Sequence, residues 1–157
     1  IFMNTLWPLS KNLLKEILAD RTTDRFVCAL IWERLDYKPA NIADKTTILV
    51  AGPNTPDYWR QKFLEAPQVI AKRSASVHLT RSIPKQYKQA LKICLDFEGY
   101  KINELFPRRT RRATAVNWLL AWGLTKGEDL PKEGPLPTLH HAPEDPVLGH
   151  PGDPIIE

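Results

Sequence analysis

The run Pro107-Arg108-Arg109-Thr110-Arg111-Arg112 holds the residues of this chain whose type and spacing most invite a chemical reading. Proline followed by helix-compatible residues marks a helix start, where unpaired amide hydrogens and the positive end of the backbone dipole favour acids. Arginines placed there work against that preference by roughly 0.3 kcal/mol or more per charge. The arrangement makes physical sense if an anion sits among them. Amide hydrogens, the Thr110 hydroxyl and forked guanidinium groups together match phosphate or carboxylate oxygens. A plainer reading stands beside it: the arginines pair with acids of the same domain, for which Asp96, Glu98, Glu104 and the C-terminal residues are at hand.

A second basic feature precedes the first. Lys85, Lys88 and Lys92 recur at three and four residues, so on a helix they form one ridge away from the apolar stripe of Tyr87, Ala90, Leu91, Cys94 and Leu95. From Arg81 to Arg112 nine bases face three acids, a local balance of +6. The candidate anion- or partner-binding set is therefore Arg81, Lys85, Lys88, Lys92, Lys101, Arg108, Arg109, Thr110, Arg111 and Arg112. RNA or an acidic protein surface is the partner such a set fits. A DNA-reading module fits less well, because no helix-turn-helix or zinc-ligand spacing accompanies the charge.

Other chemistry finds little footing. The sequence contains no glycine-rich phosphate loop, nucleophile elbow, paired-histidine motif or cysteine–histidine set at metal spacing, so no catalytic or metal-ligating residue is assigned and no cofactor is called for. His78 stands alone and reads as a partly exposed structural residue, while Asp20, Asp24 and Glu33 fit helix caps and solvated faces. Cys28 and Cys94 each lie in an apolar helical pattern and read as buried thiols in a reducing, cytoplasmic compartment. A haem or tetrapyrrole site is the alternative from another class, since five tryptophans and an arginine cluster could clasp a planar ring and its propionates. Met3 and His78 are poor axial ligands, and tryptophans at helical spacing are usually core.

The elements that must position these residues follow from periodicity. Ser10 caps a helix running to about Asp20 with Leu13, Leu14, Ile17 and Leu18 on its inner face; Thr22 or Thr23 caps a second, carrying Phe26, Val27, Leu30, Ile31 and Leu35 and ended by Lys38-Pro39. Thr46 to Val50 suggests a strand inside a loop from Ala40 to Pro56, and Asp57 to Glu65 a brief helix. Ser76 to Ile83 alternates at period two and predicts a half-buried strand, with Val77, Leu79 and Arg81 on one face and His78, Thr80 and Ser82 on the other. A helix from Pro84 to Gly99 and a last one from Pro107 to Gly127 complete an α+β domain: predominantly helical, four to five helices, with a small sheet of two to three short strands.

The net charge of +4 conceals a division after Gly127. Residues 128–157 hold seven acids, one base, seven prolines and three glycines, a balance of −6, leaving +10 on residues 1–127. The first stretch is a compact basic domain and the second an acidic, proline-rich tail, disordered or extended, because its scattered apolar residues do not offset the entropy of ordering it. Such a tail is suited to fold back on the basic surface and compete with a partner. No apolar run approaches the roughly 18 residues that cross a bilayer, and the opening residues lack a secretory pattern.

Leu79-Thr80-Arg81-Ser82-Ile83-Pro84, Gly99-Tyr100-Lys101 and the run from Pro107 through Trp118-Leu119-Leu120 resemble the cyanobacterial and plastid family catalogued as domain of unknown function 1823. The likeness covers roughly Leu13 to Trp122 and includes Ile31-Trp32 and Leu35-Asp36-Tyr37, where the family more often has Leu-Gly-Tyr. It implies an α+β protein of a phototroph's cytoplasm or stroma, without an established activity, and supplies no catalytic residue. The acidic tail and the stretch from Ala40 to Asn54 depart from the family pattern. The sequence thus points to a non-enzymatic binding or regulatory protein, with a haem site or a purely structural interaction module as alternatives.

Overall fold

The computed structural model describes residues 6–40 and 48–157. The N-terminal residues, Met3 among them, and the part of the expected strand before Ile48 lie outside those described.

Helix α1, Lys11–Leu18, begins where the Ser10 hydroxyl accepts the Leu13 amide at 3.0 Å, and buries Leu13, Leu14, Ile17 and Leu18. It stops at Asp20, whose φ of +63° turns the chain through the left-handed region. Helix α2, Asp24–Arg34, is capped by Thr23, whose hydroxyl accepts the Phe26 amide at 3.1 Å, and buries Val27, Cys28, Leu30 and Ile31. Asp36, again at positive φ, leads into β1, Tyr37–Ala40, which pairs antiparallel with β2, Ile48–Ala51, in the register Tyr37 opposite Ala51. Pro39 therefore sits inside an edge strand, where its missing N–H is tolerated. A bridge from Val50 to Glu65 lies on the other side of β2, after the short helix α3, Asp57–Arg60.

The stretch from Ser76 to Ile83, expected as a strand, belongs instead to helix α4, Arg73–Ser82. The alternation of polar and apolar residues was coincidental with a four-residue repeat, Ala75, Leu79 and Ile83, all three buried. Val77 points outward, at 36% exposed, and His78 is buried instead of facing solvent. The hydroxyls that suggested a strand are satisfied inside the helix, Thr80 donating to the Ser76 carbonyl at 3.0 Å and Ser82 to that of Leu79 at 2.6 Å.

The helix expected from Pro84 to Gly99 is shorter and broken. A single 3-10 turn, Lys85–Tyr87, precedes helix α5, Ala90–Leu95, and Asp96 at φ +55° ends it three residues before Gly99. Helix α6, Pro107–Thr125, is the axis of the fold: α1, α2, α4 and α5 all pack against it, around Ala115, Val116, Leu119 and Leu120. The domain is α+β and mostly helical, and α4, expected as a strand, is the helix added to the expected set. Residues 128–157 form no helix or strand. They nevertheless lie along the domain, with Lys11 and Asn12 amides donating to the carbonyls of Pro131 and Lys132, and the His140 amide to that of Arg21.

Candidate functional site

The first turn of α6 divides its arginines by direction. Arg108 and Arg112, one turn apart, point inward to the corner between α1 and α2 and are 1% and 0% exposed. Arg108 grips Asp20 with both Nη atoms at 2.6 Å, and its Nε donates to Asp24 at 2.9 Å. Arg112 donates to Asp24 at 2.7 Å, to the Ile17 carbonyl at 2.9 Å and to the Thr22 hydroxyl at 3.0 Å. Burial alone would raise the Asp20 carboxyl, but the Arg108 hydrogen bonds and the charges of Arg112 and Arg108 hold it below the usual carboxylate range. The same pairing outweighs burial at Arg108 and raises its pKa. Two cations and two anions thus close on each other away from water, with the Pro146 carbonyl also accepting from Arg108 at 3.3 Å.

Arg109 and Arg111 are partly covered. Arg109 lies 3.5 Å from Asp20 and 3.7 Å from Glu104, and Arg111 donates to the carbonyls of Ile70 and Ala71. Thr110 is exposed and its hydroxyl donates to the Pro107 carbonyl. The six-residue run is therefore chiefly an internal clamp, and the anion seat read from its composition is not assembled there. Asp20 and Asp24, first read as cap and solvated-face residues, are the acids that complete the clamp.

The remaining members of the basic set stand in solvent. Arg81, Lys85, Lys88, Lys92 and Lys101 are all exposed, and Lys88 and Lys92 flank a groove of about 540 Å³ between α4, α5, α6 and the loop after α5. Its apolar wall is Leu91, Phe97, Tyr100 and Leu105. Asn117 stands at its base, its side-chain oxygen accepting the Leu91 amide at 2.7 Å. Tyr100 donates its hydroxyl to the Leu18 carbonyl at 2.9 Å, and burial pushes its pKa up to about 12. A shallower cleft lined by Arg73, Ser76 and Arg111 continues from the groove through the shared Thr80, Leu105 and Thr110. Across both, four basic side chains face one acidic one, Glu98.

The other candidates are held in structural roles. His78 stacks on Tyr58 at 3.9 Å between ring centroids, and its Nε2 donates to the Tyr58 carbonyl at 2.7 Å. Burial lowers its pKa below that of a free imidazole. Trp59 and Trp118 are core, Trp32 donates to the Pro67 carbonyl, and Trp7 to that of Pro135, so the tryptophans do not converge on one cavity. Cys28 is buried, its thiol pushed up to about 12, and Cys94 is half-buried; both are free. Among the described residues no cluster of three metal-ligating side chains occurs, and no helix is long and apolar enough to cross a membrane.

Sequence reasoning missed the aspartate partners and the groove, and it expected the tail to fold back on the basic surface, whereas the tail contacts α1, the turn at Asp20 and Arg21, and the start of α2. The first had a signal: Asp20 and Asp24 are spaced by four residues, as are Arg108 and Arg112, which lets two successive turns engage two successive carboxylates.

A family model described as "Domain of unknown function (DUF1823)" matches residues 8–124. No curated protein matches. A solution NMR structure shares 43% identity, covering 80% of this chain and 100% of that one, with a TM-score of 0.63.

Proposed function

This chain belongs to the family of domain of unknown function DUF1823, and on that premise we propose that it is a non-enzymatic binding module whose groove takes an acidic, apolar-bearing segment of a protein partner. The observation that carries this reading is the pairing of apolar wall and basic rim: Leu91, Phe97, Tyr100 and Leu105 inside, Lys88 and Lys92 at the edge. A peptide with alternating acids and aliphatic residues satisfies both. Exposed Ile102, at 89%, adds apolar surface on the loop that forms one wall.

RNA is the second reading, supported by the exposed series Arg81, Lys85, Lys88 and Lys92. It is weaker here because Arg108 and Arg112 are withdrawn from the surface, and because Phe97 and Tyr100 pack edge to face at 5.1 Å instead of presenting flat faces to bases. Catalysis gains no support from the groove, whose Tyr100 holds its proton far above neutrality. A phototroph's cytoplasm or stroma, implied by the family resemblance, is part of the same proposal. The two free cysteines accord with a reducing compartment.

Titrating the ¹⁵N-labelled full chain with an acidic Glu/Leu 12-mer peptide and, separately, with a uridine 12-mer tests the reading. The peptide is expected to shift the amides of Leu91, Phe97, Tyr100 and Leu105, and replacing Lys85, Lys88 and Lys92 by Gln to weaken it at least tenfold. Shifts confined to the lysine ridge on adding RNA, with affinity falling steeply with salt, would favour the second reading. Binding of neither probe would refute both.

A further inference from the structure

The corner built from Asp20, Asp24 and Arg108 is covered by the chain's own residues 145–153. There the backbone closes on itself, the Leu148 amide donating to the Asp145 carbonyl at 3.1 Å and the Asp153 amide to the His150 carbonyl at 3.0 Å. The compact turn so formed enters the corner at three points. The Asp153 carboxylate accepts the amides of Asp24 at 2.9 Å and Arg25 at 3.3 Å, at the N-terminus of α2. Its side chain is fully covered, with Arg25 at 3.5 Å. His150, 5% exposed, donates from Nε2 to the Asp20 carbonyl at 3.0 Å, and the Pro146 carbonyl accepts from Arg108 at 3.3 Å.

Close approach fixes the sequence of this turn. Gly149 has φ +80°, and a Cβ there would lie 2.8 Å from Arg108 Nε and 3.2 Å from Asp24 Oδ2, a guanidinium and carboxylate that are already locked. Gly152, at φ +86°, abuts the guanidinium of the half-exposed Arg25, which can shift, so its positive φ is what favours glycine. Gly149-His150-Pro151-Gly152-Asp153 is thus shaped to one surface, though it belongs to a segment without helix or strand. The surface it fits is made wholly of residues inside the family-matched region, 8–124, whereas the turn lies beyond it. The seat thus lies inside the matched region and its occupant outside it.

We propose that the α1–α2 corner is a peptide-docking site specific for a Gly-His-Pro-Gly-Asp turn, filled in cis by the tail and open to the same turn from a second copy of this chain. Recognition rests on a carboxylate at the start of α2, an imidazole on the Asp20 carbonyl, and two glycines, Gly149 against the Arg108–Asp24 pair and Gly152 against Arg25. The site is distinct from the groove, so its test is independent of the function proposed above.

The test uses the full chain carrying Gly149→Val, which expels the turn, and a fluorescein-labelled peptide of residues 144–157. The peptide is expected to bind this variant and to bind the natural chain at least tenfold more weakly, because the tethered tail competes at an effective concentration on the order of millimolar. A peptide carrying Asp153→Asn and Gly149→Val is expected not to bind. Equal binding to variant and natural chain, no binding to either, or equal binding of the altered peptide overturns the proposal. Should Gly149→Val fail to fold, amide hydrogen exchange in the natural chain decides. A separable ligand requires the Asp24, Arg25 and Asp153 amides to exchange by local opening, faster than Leu14 or Leu119. Exchange of all of them only through global unfolding overturns it.

Discussion

Arg108 and Arg112 are 1% and 0% exposed and hold Asp20 and Asp24 at 2.6–2.9 Å, whereas Lys85, Lys88 and Lys92, some twenty residues earlier, stand in solvent. Both groups are cations three or four residues apart, the arginines on one helix and the lysines spread over the 3-10 turn, the residue after it and α5, and both read in the sequence as one continuous basic surface. Their separation follows from side-chain chemistry. A guanidinium presents several donors in a rigid fork and is weakly hydrated, so it can be buried when carboxylates, carbonyls and hydroxyls take those donors. An ammonium on a flexible stem is strongly hydrated and stays at the surface unless a single acceptor is very near. One region therefore fixes how α6 meets α1 and α2, and the other stays in solvent.

Removing one member of the buried set should produce the largest effect. Arg112→Ala leaves Asp24 short of a charge partner and the Ile17 carbonyl and Thr22 hydroxyl without their donor, and is expected to lower stability by about 3–5 kcal/mol. Urea unfolding followed by tryptophan fluorescence measures it. A loss below about 1 kcal/mol would mean that the pair adds no more than an exposed one, and the contrast would fail.

The helix starts at Ser10 and Thr23 were legible because a cap and an apolar stripe are local signals, and both hydroxyls make the expected bonds. Helix α4 was not, because Val77, Thr80 and Ile83 favour strands locally and only packing of Ala75 and Leu79 in the core overrides them. The fate of Arg108 was hidden for another reason: its partners lie 84 and 88 residues away, and composition registers charge without saying which acid meets it. The groove draws its walls from several elements and leaves no mark in any one. The tail docks through backbone carbonyls and amides, His150, Asp153 and the apolar Leu130 and Ile156, contacts scattered along a segment without helix or strand, so no periodic pattern in the sequence marks them.

Asp153→Ala probes the tail's hold on the same corner. Losing the carboxylate from the two α2 amides is expected to cost about 1 kcal/mol, the scale of a lost helix cap. The change should also accelerate proteolysis of residues 128–157, read as fragment mass against time. Unaltered proteolysis would show that the tail is held elsewhere, by its bonds to α1 and Ala71.

Acidification separates the buried groups from the exposed ones further. His78 and Asp20 both have folded-state pKa values below their ordinary ones, 6.5 and 3.8, so in each window the unfolded chain binds more protons and stability falls with falling pH. The His78 contribution is complete above 6.5 and is lost as pH drops toward its folded value; that of Asp20 is complete above 3.8 and lost below it. Thermal unfolding from pH 7 to pH 3 should therefore show two descending limbs, and His78→Phe should abolish the upper one while leaving the lower. Persistence of the upper limb in that variant would assign it to another group.

The smallest effect is expected at the lysines, and its smallness is the point. Lys85→Gln and Lys92→Gln should each change stability by less than about 0.5 kcal/mol, as for substitutions at solvated positions. Lys88 differs slightly, since its Nζ donates to the Thr80 carbonyl at 2.6 Å near the end of α4, where a cation meets the negative end of the helix dipole. Lys88→Gln should cost a few tenths of a kcal/mol more, on the order of 0.3–1 in total. If the triple variant instead loses several kcal/mol, the ridge is as structural as the arginines, and the groove it borders forfeits the charge that would recruit an acidic partner. If stability holds while the acidic peptide no longer binds, these lysines answer to a ligand and the arginines to the fold.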